Sequence, residues 1–428
     1  MHFQKLSVLM TLVIIALLVA ACGGAQPTAP SSGAAPSKGE ISLGSLNDLT
    51  GATSDVGKDY ALGIQEAVKY VNENGGINGK TIKLSLYDYG YLVPGAVTTY
   101  KRFRDSDKVV AVLGWGTNDT VALAPTVSQD KMPYVSASYA GELTDPSKTP
   151  YNFFASPDYS TAARAAITTW YQEVWMKDAR FASARSAGTK PRFVCFYGKA
   201  TPYASAPIKA IKEQAVLLGF EVGPDQDVPL TALDAKSQVL AAKDFKPDLV
   251  WHGDTVNGVA TALKDAKALG LGADHIVNTY GFDENLPKLV GDAAEGVIGI
   301  APTAFYGENV KGMDLIVAAS KKYNPNTPQE SRTIHTVKAW ANVSILKNAL
   351  EVADKAGKLD GEGIRAAFES FKSLDVGYGA APMTWTSTDH RPTSLVNIYQ
   401  IKGGKFVKLQ TIDMQAKFAS DWPKWIGY

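Results

Sequence analysis

The chain has 428 residues, 45% of them hydrophobic, and a formal net charge of +1 at pH 7, which is enough length for two ordinary cores. No long run of one charge sign interrupts it, so the footprint of a nucleic-acid binder and a strongly basic membrane face are both missing. A small molecule or another protein is the partner this composition leaves open.

Lys5 precedes an apolar run over residues 6–21 that is too short and too terminal for a comfortable membrane span, and Val19, Ala20 and Ala21 stand just before Cys22. Residues 1–21 read as an export signal. The pattern resembles the lipobox of bacterial lipoproteins, which implies that Cys22 becomes an acylated first residue; the alternative is an ordinary cleaved signal with Cys22 as a bystander. Residues 22–39 are nearly all Gly, Ala, Pro, Ser and Thr, too poor in apolar surface to order themselves, and read as a tether. With Cys22 spent on lipid, Cys195 has no disulfide partner, and its place in the apolar run 192–197 makes it a buried, inert thiol on a strand.

From residue 40 the hydrophobic period switches between 2 and 3.6. Strands are expected at 41–46, 81–87, 109–113 and 134–136, with helices at 59–74, 94–104 and 120–129 between them. The 59–74 helix places Tyr60, Ile64, Ala67, Val68 and Val71 on one face and stops at Gly75 and Gly76. Such succession implies an α/β fold with a parallel sheet covered by helices on both faces. The rhythm restarts after Pro157 with a helix at 160–177, the Cys195 strand, a helix at 203–218 and strands near Val222 and at 248–251. Residues 107–114 and 246–253 echo one another, each a charged approach into an apolar strand that stops at glycine. Two similar halves follow, and because ligands of open α/β sheets sit beyond the carboxyl ends of strands, the loops after Gly114 and Gly253 are the places to search.

Leu49-Thr50-Gly51, Gly57, Gly63, Ala67-Val68 and the run Asn72-Glu73-Asn74-Gly75-Gly76-Ile77-Asn78-Gly79 resemble the N-terminal signature of the branched-chain amino acid-binding protein family. Ala122 to Pro125, then Met132-Pro133-Tyr134-Val135-Ser136, a tyrosine at position 203 and Asp389-His390-Arg391 extend the likeness over the mature chain. Members are substrate-binding lipoproteins or periplasmic proteins of ABC importers. The resemblance implies a type I periplasmic-binding fold, two doubly wound lobes joined by a three-crossover hinge. It divides the chain into an N-terminal lobe of residues 40–156 and 304–393 and a C-terminal lobe of residues 157–303 and 394–428.

It also implies a site. By position, Asn118, Asp119 and Thr120 fall where relatives place hydroxyls around a helix N-terminus that attracts an anionic group. Asp119 departs from that pattern: it would repel a carboxylate, or serve as a helix cap. Ser138, Tyr139 and Ala140 align with the segment that holds the ligand's polar head, and Val56 stands where many relatives carry an aromatic ring. On the second wall the resemblance points to Tyr203, while Asp254 and Thr255 offer partners for an ammonium or hydroxyl, Asp254 alternatively as a cap. Trp115, Tyr139, Tyr280 and Phe282 supply rings that face either the cleft or the core.

Other chemistry finds little support. Residues 75–81 imitate a phosphate loop, but the glycine spacing is one residue short and a strand follows. Gly114-Trp115-Gly116 hints at a dinucleotide turn, yet Asp119 occupies the third glycine position. The histidines show no metal-ligand spacing, and HExxH, CxxC and GxSxG motifs are all missing. The expectation is therefore a protein that is not an enzyme and uses no metal or cofactor: an extracytoplasmic, lipid-anchored binder that hands a small solute to membrane permease subunits. The alternative is a receptor domain reporting that solute to a signalling partner.

Overall fold

The computed structural model describes residues 37–428, so the export segment, Cys22 and the tether through residue 36 lie outside the described residues. A first sheet of five parallel strands runs in the order β2-β1-β3-β4-β5, from β1 (Glu40–Asn47), β2 (Thr81–Asp88), β3 (Ala111–Gly114), β4 (Tyr134–Ser136) and β5 (Asn152–Phe153). The second contains β6 (Arg192–Tyr197), β7 (Glu221–Val222), β8 (Gln226–Asp227), β9 (Leu249–His252), β10 (Asp274–Val277), β11 (Ile298–Ile300), β12 (Leu395–Lys402) and β13 (Lys405–Asp413). Its order is β13-β12-β11-β10-β9-β6-β7, with β8 also beside β6. Counted from β6, the parallel part repeats the order of the first sheet, and β12 and β13 add an antiparallel hairpin at its edge.

Helices alternate with these strands: α1 (Ser54–Glu73), α2 (Val93–Arg102), α3 (Thr117–Asp130), α4 (Tyr159–Trp170), α5 (Ile208–Leu217), α6 (Lys236–Phe245), α7 (Val256–Ala268), α8 (Asn285–Val290), α9 (Met313–Tyr323), α10 (Ile334–Lys355) and α11 (Gly361–Ser370). The α/β, doubly wound architecture expected from the sequence is what forms. In α1 the expected apolar face is buried, with Val56 added ahead of Tyr60, Ile64, Ala67, Val68 and Val71. The central strand β3 is buried at every position, as a parallel strand covered on both faces must be. Gly63 lets α1 lie close along α10, since a methyl there would come within 2.8 Å of Ala339 Cβ and the Thr336 carbonyl.

Several boundaries move. α1 begins at Ser54 and α3 at Thr117, earlier than the periodicity indicated, because both open with short polar residues that carry no apolar period. The helix expected over 203–218 is broken into Pro202–Ser205 and α5, with Pro207, which has no backbone N–H to continue the hydrogen-bond ladder, at the break. The 160–177 helix ends at Trp170 and continues as the wider turn Tyr171–Trp175. Cys195 is fully buried in β6, where burial pushes its thiol well above the usual range. The echoed strands β3 and β9 occupy equivalent central places in the two sheets, and a lysine in the left-handed conformation, Lys108 or Lys246, precedes each.

The chain passes from the first sheet to the second between β5 and α4, returns between β11 and α9, and passes again between α11 and β12. At the first passage the Ala155 amide donates to Asn342 Oδ1 at 3.0 Å, and Asp158 caps α4 through the Thr161 amide at 2.9 Å. The second is tied by the Ala304 amide to the Tyr378 carbonyl at 2.8 Å. At the last, the His390 amide donates to the Thr144 carbonyl at 2.9 Å while Arg391 Nη1 donates to the Trp422 carbonyl at 2.8 Å, so adjacent residues hold the two sides of the crossing.

Candidate functional site

In both sheets the strand order reverses beside the first strand, between β1 and β3 and between β6 and β9, which is where open α/β sheets bind ligands. The loops beyond these points face each other. From the first side come Thr53 after β1, Tyr91 after β2, Trp115, Gly116 and Thr117 after β3, and Ala137 after β4. From the second come Tyr203 after β6, Thr255 after β9 and Tyr280 after β10. Together with Val56 and Tyr159 they line a cavity with about 240 Å³ of empty space, part of it open to solvent.

Two properties of this lining decide what it can hold. Rings dominate: Tyr91, Trp115, Tyr159, Tyr203 and Tyr280 are all buried, and Trp115 is fixed by its Nε1 donating to Thr53 Oγ1 at 2.8 Å. The second is the set of helix starts. Thr53, Gly116 and Thr255 are the capping residues of α1, α3 and α7, and none uses a side chain to cap its helix. The starts of three helices thus reach the cavity from both sides, with the Ser54 amide of α1 bonded to the Gly51 carbonyl and the Asn257 amide of α7 to Asp55, and no lining side chain carries a charge. Such a cage favours a small solute with a flat or apolar body and an anionic end.

Among the residues singled out from the sequence, Val56, Trp115, Tyr203, Thr255 and Tyr280 line the cavity, and the others do not. Asn118 Oδ1 accepts from the Tyr91 hydroxyl at 3.4 Å. Asp119 is the third residue of α3, and Gly116 is the cap, because the helix starts at Thr117. Its carboxylate, fully buried, accepts from the Tyr89 hydroxyl at 2.6 Å, and burial raises its pKa to about 7, which softens the repulsion of an anion expected from it. Thr120 Oγ1 donates to the Gly116 carbonyl at 2.6 Å, within its own helix. Ser138 Oγ donates to Thr117 Oγ1 at 2.8 Å and so orients a lining residue. Tyr139 stacks on Tyr280 with centroids 5.9 Å apart, and Ala140 leads into the turn Gly141–Thr144. Asp254 is not the cap of α7; Thr255 is. Asp254 instead accepts from the Gly198 amide at 3.0 Å, joining the loops after β6 and β9, and burial lifts its pKa to about 7. Of the rings left open by the sequence, Trp115 and Tyr280 line the cavity, whereas Phe282 packs in the core against Phe305 and Phe406.

Thr53, Tyr91 and Tyr159 were not anticipated. Thr53 is the capping position of a helix whose polar first turn hid its start; Tyr91 follows a strand end as Trp115 does; Tyr159 follows the Asp158 cap at the first passage between sheets. Across the cavity, the Asn257 amide of α7 donates to Asp55 Oδ2 at 3.3 Å, and burial lifts the Asp55 pKa to about 6. His335 of α10 lies 3.0 Å from Asp283, and Lys338 Nζ donates to the Thr279 carbonyl at 2.8 Å. Lys338 is buried, which draws its pKa down to about 7.

Among the described residues no group of His, Cys, Asp and Glu could hold a metal ion, and no helix is long and apolar enough to cross a membrane. Residues 40–405 match the family described as periplasmic binding protein. The chain belongs to the periplasmic binding protein family. A curated relative, Leu/Ile/Val-binding protein homolog 7 of Brucella suis, is 22% identical over 359 residues, covering 82% of this chain and 86% of that one. Among solved structures, an ABC transporter substrate-binding protein of Aeropyrum pernix is 30% identical, with a TM-score of 0.77, covering 88% of this chain and 96% of its own. A branched-chain amino acid ABC transporter protein from Thermus thermophilus with bound valine superposes with a TM-score of 0.81 at 21% identity, over 90% of this chain and 99% of that one. This periplasmic binding protein is thus a substrate-binding protein of the ABC transporter type with the type I fold, and its family places it outside the cytoplasm.

Proposed function

We propose that the protein is a lipid-anchored solute binder that closes its two lobes on a small carboxylate-bearing solute with an aromatic or apolar body and presents the closed form to ABC permease subunits. The observation that carries this reading is the cavity lined by the switch-point loops of both sheets, with rings on its walls and helix starts at its edges. The moving bodies are residues 40–156 with 304–393 and residues 157–303 with 394–428, turning about the three passages between sheets. A solute touching both walls favours the closed arrangement by its differential contacts with it. The valine in the Thermus relative supports an amino acid or a related acid as the solute class.

A thermal-shift screen across amino acids, short amides, urea-like compounds and aromatic acids tests this, because a ligand selective for the folded form raises the melting temperature. With the solute in hand, Tyr203→Ala should weaken binding at least about tenfold, or ~1.4 kcal/mol, with the fold retained; an unchanged affinity would remove Tyr203 from the site. Anchoring through Cys22 has its own test. Cys22→Ser should move the protein from the membrane fraction to the soluble fraction, and continued membrane association would refute the lipid anchor.

A further inference from the structure

Tyr280 is carried by the loop after β10, yet most of what surrounds its ring belongs to the opposite side. The ring stacks on Tyr139 with centroids 5.9 Å apart, meets Trp115 edge-on at 5.5 Å, and lies parallel to His335 at 5.4 Å, with the Lys338 ammonium 4.3 Å from its centroid. Its hydroxyl donates to the Ala137 carbonyl at 2.7 Å. At the other end of the residue, the Tyr280 amide donates to the Tyr203 hydroxyl at 3.2 Å, and Lys338 holds the preceding Thr279 carbonyl. The loop cannot retreat either: a methyl on Gly281 would come within 2.7 Å of the Asp254 carbonyl and 2.6 Å of Val259 Cγ2, so the backbone is seated directly on α7 and the loop before it.

We propose that Tyr280 is an internal stopper, a side chain that fills one end of the cleft and limits the length of solute it accepts. This rests on the reading of the cavity as the solute site. The phenol occupies a slot walled by Tyr139, Trp115, His335 and Lys338, with the Ala137 carbonyl at its end, and what it leaves free for a solute is narrow, with room for little more than a water molecule, about 20 Å³. The slot has a carbonyl acceptor at its end and the Lys338 amine beside its face, with the Tyr139 phenol and the His335 imidazole among its walls, so it fits a ring bearing a hydroxyl. Shortening residue 280 joins the slot to the cavity and admits solutes one ring longer.

The slot can be tested without knowing the solute, using p-cresol, which has the shape and hydroxyl of the tyrosine side chain. Calorimetric titration of Tyr280→Ala with p-cresol should show binding at least about tenfold tighter than to the unsubstituted protein, and p-cresol should raise the melting temperature of the variant alone. A Tyr280→Ala protein with an unchanged circular dichroism spectrum that takes up no p-cresol would overturn the stopper. Should that variant fail to fold, Tyr280→Leu goes through the same titration with phenol, and a folded variant that ignores phenol overturns it equally. Solute binding by the unsubstituted protein is measured separately in the thermal-shift screen. Uptake of p-cresol by Tyr280→Ala with no solute found would establish the slot but count against the transport reading and against a stopper for solutes, whereas a solute found without p-cresol uptake would overturn the stopper and leave the transport reading standing.

Discussion

Arg332→Ala is expected to cost about 3–5 kcal/mol of folding stability at neutral pH, because it strands buried carboxylates. The Arg332 side chain is fully buried, and its Nη2 lies 2.6 Å from Glu66, itself fully buried in α1, while its Nη1 lies 3.0 Å from Asp59. The pair thus joins α1 to the segment entering α10. Burial pushes the Glu66 pKa up and the Arg332 guanidinium pulls it back. A raised folded pKa means a contribution that is fully present below the unfolded value and is lost as pH rises through the folded value. Without Arg332 the Glu66 pKa rises further, so the deficit of the variant should shrink as pH falls toward 5, and Glu66→Gln placed on Arg332→Ala should recover part of it. Urea unfolding of the variants at pH 7.5 and 5 reads this directly; a loss under about 1 kcal/mol at both would mean that the ion pair holds nothing in place.

Gly116→Ala is expected to weaken solute binding by about tenfold to a hundredfold, roughly 1.4–2.8 kcal/mol. Gly116 both caps α3 and lines the cavity. Its backbone is of an ordinary extended kind, so the requirement for glycine is one of space. A methyl would fall against Asp119 Oδ1 and the Tyr91 ring, and at 2.6 Å from the Tyr89 hydroxyl. It must therefore push Asp119 off Tyr89 or shift the amide end of α3 relative to the opposite wall. Overpacking of this kind costs about 1–3 kcal/mol, and here it acts on the groups that position the solute. Calorimetry with the solute found in the screen checks it, and full affinity in a folded Gly116→Ala protein would show that the start of α3 does not contact the solute.

The alternation of periods was enough to read the parallel sheets, their helices and the repeat, because buried parallel strands such as Ala111–Gly114 and one-sided helices such as α1 write their burial directly into the sequence. The site was less legible. The strand ends at Gly114 and Gly253 led to the loops that carry Trp115 and Thr255, and the family resemblance to Tyr203. What the sequence does not encode locally is which member of a polar loop turns inward. Ser138 and Asp254 sit at the right loops but spend their side chains on Thr117 and the Gly198 amide. Tyr91 and Tyr159 reach the cavity only because a neighbouring strand and a passage between sheets bring them there, and no spacing announces that.

The central claim, that one solute draws two bodies together, is tested most directly by the distance between them. Dyes placed through Lys83→Cys on β2 and Lys264→Cys on α7, both exposed, report that distance, and buried Cys195 stays unlabelled. Energy transfer in single molecules should show a broad distribution without solute that narrows and shifts to shorter distance when a solute that raises the melting temperature is added. A distribution unchanged by a saturating solute would contradict closure.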